Sequence, residues 1–461
     1  MDNQKNAASR LTLRLQDTLN TQRPNNTQIA WRGDQQLTLS DFRHRITSLI
    51  QQLQTSPEKR WAICFNDSYL FSAAMIALLY SNKTPVIPGH LRQTQLQEQQ
   101  QQGSFDALLT DLPLQMTCPT IQISAEPPEQ NESFSDSDLP DWPTQAKIIL
   151  FTSGSTGQPK AVSKPVRLLE AESEILAHYC AKQLANTQVA ATVSHQHLYG
   201  LTFRILLPLA LGLPFNALTT EYHEQLQLLT AIPLTLVASP AYLKRLDCSL
   251  SPLKCTMIVS AGGPLDLEEA QRVRQCLGVL PLEIYGTSET GVIAHRTQQH
   301  PEQPWLAFDG IDIAQLQDDI IHVTSPLFED DSGSTIYDII RIDDHGFHLL
   351  GRKDKIIKIE EKRLSLTGVE QRLLSLNEIC DAAIIPLTQG NRTVLAAIIV
   401  LTEAGEQYYQ QGEIVLTRHL RQRLREWLEP VAVPKRWRIV KTIPLNTQGK
   451  RAYSELQELF L

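Results

Sequence analysis

Residues 61–88 write out one complete structural unit. The run Trp61-Ala62-Ile63-Cys64-Phe65 is short and apolar, an Asn66-Asp67 pair supplies a helix cap, 68–81 is almost wholly apolar, and Pro85-Val86-Ile87-Pro88 begins a second short run. A buried helix joining two buried strands is a βα unit, and a chain that repeats it builds a doubly wound α/β sheet. With 461 residues there is room for one large domain and one smaller. The Gln-rich stretch 93–102 reads as a solvated helix, because Gln is a fair helix former. Residues 125–144, crowded with Pro, Ser, Asp and Glu, read as a flexible surface connector.

Composition narrows the class. The chain is 42% hydrophobic and 20% charged, which suits a globular protein and excludes disordered and fibrous ones. Seven cysteines form no CxxC pair, so neither a zinc site nor a thioredoxin-like motif is indicated, and they read as reduced thiols of a cytoplasmic protein. The amino terminus has no apolar run long enough for a secretory signal. No stretch approaches the roughly 20 apolar residues of a membrane span. The two nearest, 205–215 and 394–401, read as core helix or buried strand. A net charge of -8 argues against a nucleic-acid partner.

Directly after the connector, the apolar run 147–151 leads into Thr152-Ser153-Gly154-Ser155-Thr156-Gly157-Gln158-Pro159-Lys160. Small residues let the backbone approach an anion, hydroxyls and amides donate hydrogen bonds, and Lys160 adds a charged donor. The spacing is not that of a Walker A loop, because no Lys follows the second Gly. A Ser/Gly/Thr turn by itself is more often a plain connector than a phosphate cradle; the preceding strand and following lysine favour the cradle. A second strand, from Glu283, runs into Tyr285-Gly286-Thr287-Ser288-Glu289-Thr290-Gly291, where hydroxyls surround one carboxylate suited to a divalent cation on phosphate. Asp338, then Gly351-Arg352-Lys353-Asp354, and finally Pro444-Leu445-Asn446-Thr447-Gln448-Gly449-Lys450 complete the set.

Four such strings in this order resemble the adenylate-forming superfamily of acyl-CoA synthetases, aryl-CoA ligases, nonribosomal adenylation domains and luciferases, over nearly the whole chain. The resemblance implies a large N-terminal domain of stacked βα subdomains, 1–352, and a small mobile C-terminal α+β domain, 353–461, pivoting at Asp354. It implies ATP and Mg²⁺ as cofactors and a reaction joining a carboxylic acid to the α-phosphorus with loss of pyrophosphate. Thr152, Ser153, Gly154, Ser155, Thr156, Gly157 and Lys160 would clamp phosphates, Ser288 would donate to the α-phosphate, and Glu289 would hold the metal. Gly262, Gly263, Tyr285 and Gly286 would flank adenine, while Asp338 and Arg352 would bind ribose. Lys450 would bridge carboxylate and α-phosphate, and His197 would border the acyl pocket with parts of 193–207 and 260–263; Lys450, Glu289 and His197 form the expected catalytic set. Each residue alone has a plainer reading: cap or turn acids for Glu289 and Asp338, a surface ion pair for Arg352 and Asp354, an exposed Lys450, a core histidine at 197.

Two positions depart from the superfamily pattern. Ile336-Tyr337 stands where relatives have Thr-Gly, and Glu361 replaces the Gly beside the pantetheine tunnel, which would disfavour an ordinary CoA phosphate. The string Lys358-Ile359-Glu360-Glu361-Lys362-Arg363 is similar to that of ligases associated with aryl-polyene and fatty-acid-like synthases, so an acyl carrier protein is favoured as the thiol acceptor over CoA. Residues 414–451 carry ten Lys or Arg and two Glu, a local +8 that leaves -16 for the rest. Leu416, Leu420, Leu424 and Leu428 repeat there at helical spacing with arginines between them. That face is either ordinary solvated surface or a dock for an acidic protein. A CoA-dependent aryl or fatty acyl ligase, a non-catalytic adenylate-binding relative, and an enzyme with an amine or oxygen acceptor remain as alternatives.

Overall fold

A computed structural model describes residues 14–19, 23–127, 142–153, 159–229, 232–250, 253–263, 265–316, 320–336, 338–352, 356–359, 362–389, 392–428, 430–445, 451 and 453–460. The chain divides into two compact units, 1–312 with 324–333, and 313–323 with 334–461.

The first unit is built on two sheets. In one, strands Thr120–Gln122, Ala107–Thr110, Arg60–Cys64, Thr84–Ile87 and Lys147–Ser153 run parallel in that order, and Pro159–Pro165 closes the edge antiparallel. The helix between the first βα pair, Ser68–Tyr80, is buried along its whole length, and Asp67 caps it by accepting from the Leu70 amide at 2.9 Å. The Gln-rich helix Gln93–Gln101 is mostly solvated and turns Leu96 and Gln99 inward. The other sheet has nine strands, in the order Leu306–Ala307, Gly291–Thr297, Leu282–Thr287, Cys255–Ala261, Leu234–Ala238, Gln188–Ala191, Phe215–Asn216, Gln28–Arg32 and Gln35–Thr38. Its middle is parallel; Gly291–Thr297, Leu306–Ala307 and Gln35–Thr38 are antiparallel additions. Burial is nearly complete in the parallel strands, as a sheet covered on both faces requires. The apolar stretch at 205–215 lies in a π-helical turn, Leu201–Leu206, continued by helix Leu207–Leu211 and a short strand.

The second unit has its own core. Strands Ile379–Gln389, Arg392–Leu401 and Arg436–Ile439 form a sheet with helix Leu366–Leu374 and helix Glu413–Leu424 packed on it through Val369, Leu373, Leu416, Leu420 and Leu424. The opposite face packs Ala383, Ile385, Ala396 and Ile398 against Ile443 and Leu456. The leucine-repeat helix ends at Leu424, short of Leu428, which reaches back with its amide to the Leu424 carbonyl and packs only partly. Ahead of this sheet come two hairpins, Asp338–Asp343 with Gly346–Arg352 and Ile356–Ile359 with Lys362–Ser365.

Cysteine spacing did not announce one pair. Cys248 and Cys276 stand 4.8 Å apart at Cα, close enough to pair, whereas Cys64, Cys118, Cys180, Cys255 and Cys380 stand apart as free thiols. No helix among the described residues is long and apolar enough to cross a membrane.

Candidate active site

Two hairpins of the first unit carry the expected phosphate and metal residues. In the first, Thr152 lies opposite Lys160 and Ser153 opposite Pro159. Gly154, Ser155, Thr156 and Gly157 fall between them, outside the described residues. A strand, not a helix, follows this loop, so an anion there would rely on side chains and loop amides and not on a helix dipole.

The second hairpin joins Leu282–Thr287 to Gly291–Thr297. Its turn is laced internally: Thr287 donates its amide to Thr290 Oγ1 at 3.0 Å, and Thr290 returns its amide to Thr287 Oγ1 at 3.1 Å. Two glycines permit this. A Cβ on Gly286 would lie 2.2 Å from the Gly291 carbonyl oxygen, and Gly291 itself holds φ +74. Ser288 is partly exposed in this turn, and the Glu289 side chain stands at the surface, 44% exposed.

These two hairpins meet. Lys160 Nζ donates to Glu289 Oε1 at 3.0 Å across 129 residues of sequence. Partial burial works against the Glu289 carboxylate, but the Lys160 hydrogen bond and charge hold its carboxyl below the usual range. Lys164, on the same strand as Lys160, donates from Nζ to the Glu289 backbone carbonyl at 2.6 Å. Glu172 of helix Val166–Leu184 accepts from the Val292 amide at 2.8 Å. Sequence reasoning passed over Lys164 and Glu172, since one lysine in a strand and one acid in a helix have no motif to mark them.

The expected adenine residues lie together at the carboxyl ends of two neighbouring strands. Strands Cys255–Ala261 and Leu282–Thr287 are parallel neighbours, so Gly262 and Gly263 lie beside Tyr285 and Gly286 where both strands end. Ligands of parallel sheets sit outside such carboxyl ends. Tyr285 has Trp305 behind it at 5.9 Å between ring centroids, and the Arg296 guanidinium lies 4.6 Å over the Trp305 ring. Arg296 is ion-paired in turn with buried Glu283 at 2.9 Å.

His197 precedes the short helix Leu198–Gly200 and is partly exposed. Its ring stands 3.7 Å from where a Cβ on Gly89 would be, and that Cβ would also crowd the Phe151 carbonyl oxygen at 2.7 Å. The core histidine is its neighbour His195, which is buried with Nε2 3.0 Å from the Phe65 carbonyl and its ring 4.5 Å from that of Phe71. Burial pushes the His195 imidazolium well below its ordinary range, so the ring is neutral. Of the anticipated pocket segment 193–207, Phe203 and Leu207 border a cavity of about 10 Å³ with Val189, Val237 and Met257. That holds one water at most and no acyl chain.

The remaining expected residues belong to the second unit. Asp338 and Arg352 face each other as cross-strand partners at the open end of their hairpin. Asp354, Glu361 and Lys450 lie outside the described residues.

The model of the AMP-binding enzyme family matches residues 16–311, and that of the AMP-binding enzyme C-terminal domain matches 368–450. The chain belongs to the AMP-binding enzyme family. A 4-coumarate–CoA ligase of Cereibacter sphaeroides is 26% identical over 67% of this chain and 71% of its own length. Another 4-coumarate–CoA ligase, from Halorhodospira halophila, is 28% identical over 66% and 74%. The N-benzoylphenylalaninol synthetase apmA of Penicillium brevicompactum is 24% identical over 84% of this chain and 19% of its own length. Among solved structures, ATP-bound MatB of Rhodopseudomonas palustris superposes with a TM-score of 0.78 at 16% identity, covering 97% of this chain and 99% of that one. AMP-bound MenE of Bacillus subtilis superposes at 0.76 and 18% identity, covering 96% and 97%. This AMP-binding enzyme is an adenylate-forming acid ligase with the two-domain α/β fold of those structures.

Proposed function

We propose that this AMP-binding enzyme uses Mg²⁺ and ATP to convert a carboxylic acid to its acyl- or aryl-adenylate, then passes the acyl group to the pantetheine thiol of an acyl carrier protein. The observation that carries the reading is the meeting of Lys160 with Glu289 at 3.0 Å, a cation for phosphate beside a carboxylate for metal. A divalent cation suits this donor set. Mg²⁺ is usually held by one or two carboxylates together with substrate phosphates, and Glu289 offers such a carboxylate; among the described residues no cluster of three His, Cys, Asp or Glu offers more. When bound, the ion would offset charge on the leaving pyrophosphate.

The chain's own residues take the following parts. Lys160, with Thr152, Ser153 and loop residues 154–157, holds the β- and γ-phosphates, and Ser288 donates to the α-phosphate. Tyr285, backed by Trp305, flanks adenine with Gly262, Gly263 and Gly286. Asp338 accepts from the ribose hydroxyls and Arg352 assists. Lys450 neutralises the carboxylate and α-phosphate oxygens as they approach, so electrostatic stabilisation carries the step. His197 borders the acid. A rotation at Asp354 of residues 353–461 against 1–352 then withdraws Lys450 and admits the thiol.

Support for a carrier protein comes from charge. Arg418, Arg423 and Arg425 are exposed beside the buried stripe Leu416, Leu420 and Leu424, and Glu361 stands where the superfamily has Gly. Free CoA is the second reading, favoured by relatives named as CoA ligases. Exchange of labelled pyrophosphate into ATP, measured across a panel of aryl and fatty acids, tests the first half-reaction. Acid-dependent exchange is the expected result, and none with any acid would leave only an adenylate-binding protein. Repeating the assay with CoA and with a phosphopantetheinylated carrier protein separates the acceptors.

A further inference from the structure

Behind the Glu289 turn lie two buried charges to which no motif gives a task. Lys164 is 5% exposed and Glu172 3% exposed. Removing an ammonium and a carboxylate from water costs several kcal/mol each unless their partners repay it. Apolar side chains of similar volume would fill the same space without that cost. The charges are therefore informative about what surrounds them.

Their partners bracket one short segment. Lys164 sits four residues after Lys160 on strand Pro159–Pro165, hence on the same face of it. Lys160 touches the Glu289 carboxylate, and Lys164 donates to the carbonyl of the same residue at 2.6 Å. Glu172 receives the Val292 amide on Oε1 and the Thr202 hydroxyl on Oε2, each at 2.8 Å, so both oxygens are occupied. Between the two anchored groups lies Gly291, where a Cβ would stand 2.8 Å from Glu172 Oε1. Glu172, Glu289 and Glu329 all face the Lys164 ammonium and offset part of its desolvation.

We infer that Lys164 and Glu172 are positioning residues that fix the backbone running from the Glu289 carbonyl to the Val292 amide and so aim the Glu289 carboxylate at the metal. The inference rests on the reading of Glu289 as the Mg²⁺ carboxylate. With the Glu289 carbonyl and the Val292 amide held from beneath, and Thr287 and Thr290 bonded to each other across the turn, the backbone that carries Glu289 is restrained and its side-chain torsions do the remaining aiming. Without Lys164 the peptide after Glu289 can rotate, and the carboxylate spends less time in the one direction that meets a nucleotide-bound cation.

The test is a binding ratio. Calorimetry with α,β-methylene-ATP, with and without saturating Mg²⁺, gives the factor by which the metal tightens nucleotide binding in the full-length protein. Lys164→Met is expected to shrink that factor about tenfold while metal-free affinity stays within about twofold, a coupling loss of about 1.4 kcal/mol. Lys164→Arg, which keeps a charged donor, should recover most of it. If Lys164→Met fails to fold, Lys164→Gln serves in its place with the same expected direction. A folded Lys164→Met or Lys164→Gln protein that melts at lower temperature but keeps the parental factor would overturn the inference and leave Lys164 a purely structural residue. Glu289→Gln is measured beside them. If it keeps the parental factor, the metal reading of Glu289 fails and the positioning inference with it; if it alone loses the factor, only the positioning inference falls.

Discussion

Gly291→Ala puts a number on how tightly the metal turn is held. At φ +74 an alanine meets a left-handed backbone cost of about 1 kcal/mol. Its methyl would also stand 2.8 Å from Glu172 Oε1 and 3.1 Å from Leu327 Cδ1, so the buried carboxylate must move. Moving it weakens the charge-assisted bond from the Val292 amide, about 1.5–3 kcal/mol. The sum is about 3 kcal/mol. Gly33→Ala is the matching control, because Gly33 has φ +58 with nothing within 4 Å of a Cβ and carries only the backbone cost. At roughly 2.1 cal/mol/K per residue, a unit of about 320 residues has an unfolding entropy near 0.7 kcal/mol/K. Thermal melting should then fall by about 4 °C for Gly291→Ala and about 1–2 °C for Gly33→Ala. Equal shifts in the two variants would refute the claim that Glu172 and the glycine are in obligatory contact.

Other consequences follow from charge and titration. His90 and His295 are both pushed down to about 4, chiefly by burial, from an ordinary 6.5. The folded state thus binds fewer protons than the unfolded chain between those values, so the stability these neutral rings contribute is present above pH 6.5 and is lost as pH falls toward 4. His295 lies against Tyr179 and Phe308, at 4.0 and 4.8 Å between centroids. Replacing it by Gln should flatten the fall in melting temperature across that window by the equivalent of about 1 kcal/mol; an unchanged slope would show that its ring titrates normally. Lys450→Ala should abolish adenylation and leave transfer from a supplied acyl-adenylate to thiol largely intact, and equal loss of both half-reactions would remove Lys450 from its assigned place.

The βα unit at 61–88 was legible because its signals are local. The strands form at Arg60–Cys64 and Thr84–Ile87, and Asp67 caps the helix between them as its sequence position implies. The turn at 287–290 was legible for the same reason, and the α/β fold with its family followed from the order of the motifs. What the sequence withheld is long-range. Nothing near Glu172 foretells that it will receive Val292, 120 residues away. Gly291 looks like any turn glycine until Glu172 is set against it. His195 and His197 are equivalent in the string, and only packing against Phe65 and Phe71 makes the first a core residue. The leucine stripe predicted a helix through Leu428, yet the helix ends at Leu424, and Leu428 beyond it is only partly buried. The approach of Cys248 to Cys276 likewise depends on how helix Leu267–Leu277 is laid down and on no spacing rule.

Isotope transfer tests directly whether a carboxylate oxygen attacks the α-phosphorus of ATP. When an accepted acid carrying ¹⁸O in both carboxylate positions is turned over with ATP and thiol, AMP bearing one ¹⁸O per turnover and unlabelled pyrophosphate are expected. Label appearing in inorganic phosphate, or AMP released without label, would contradict it.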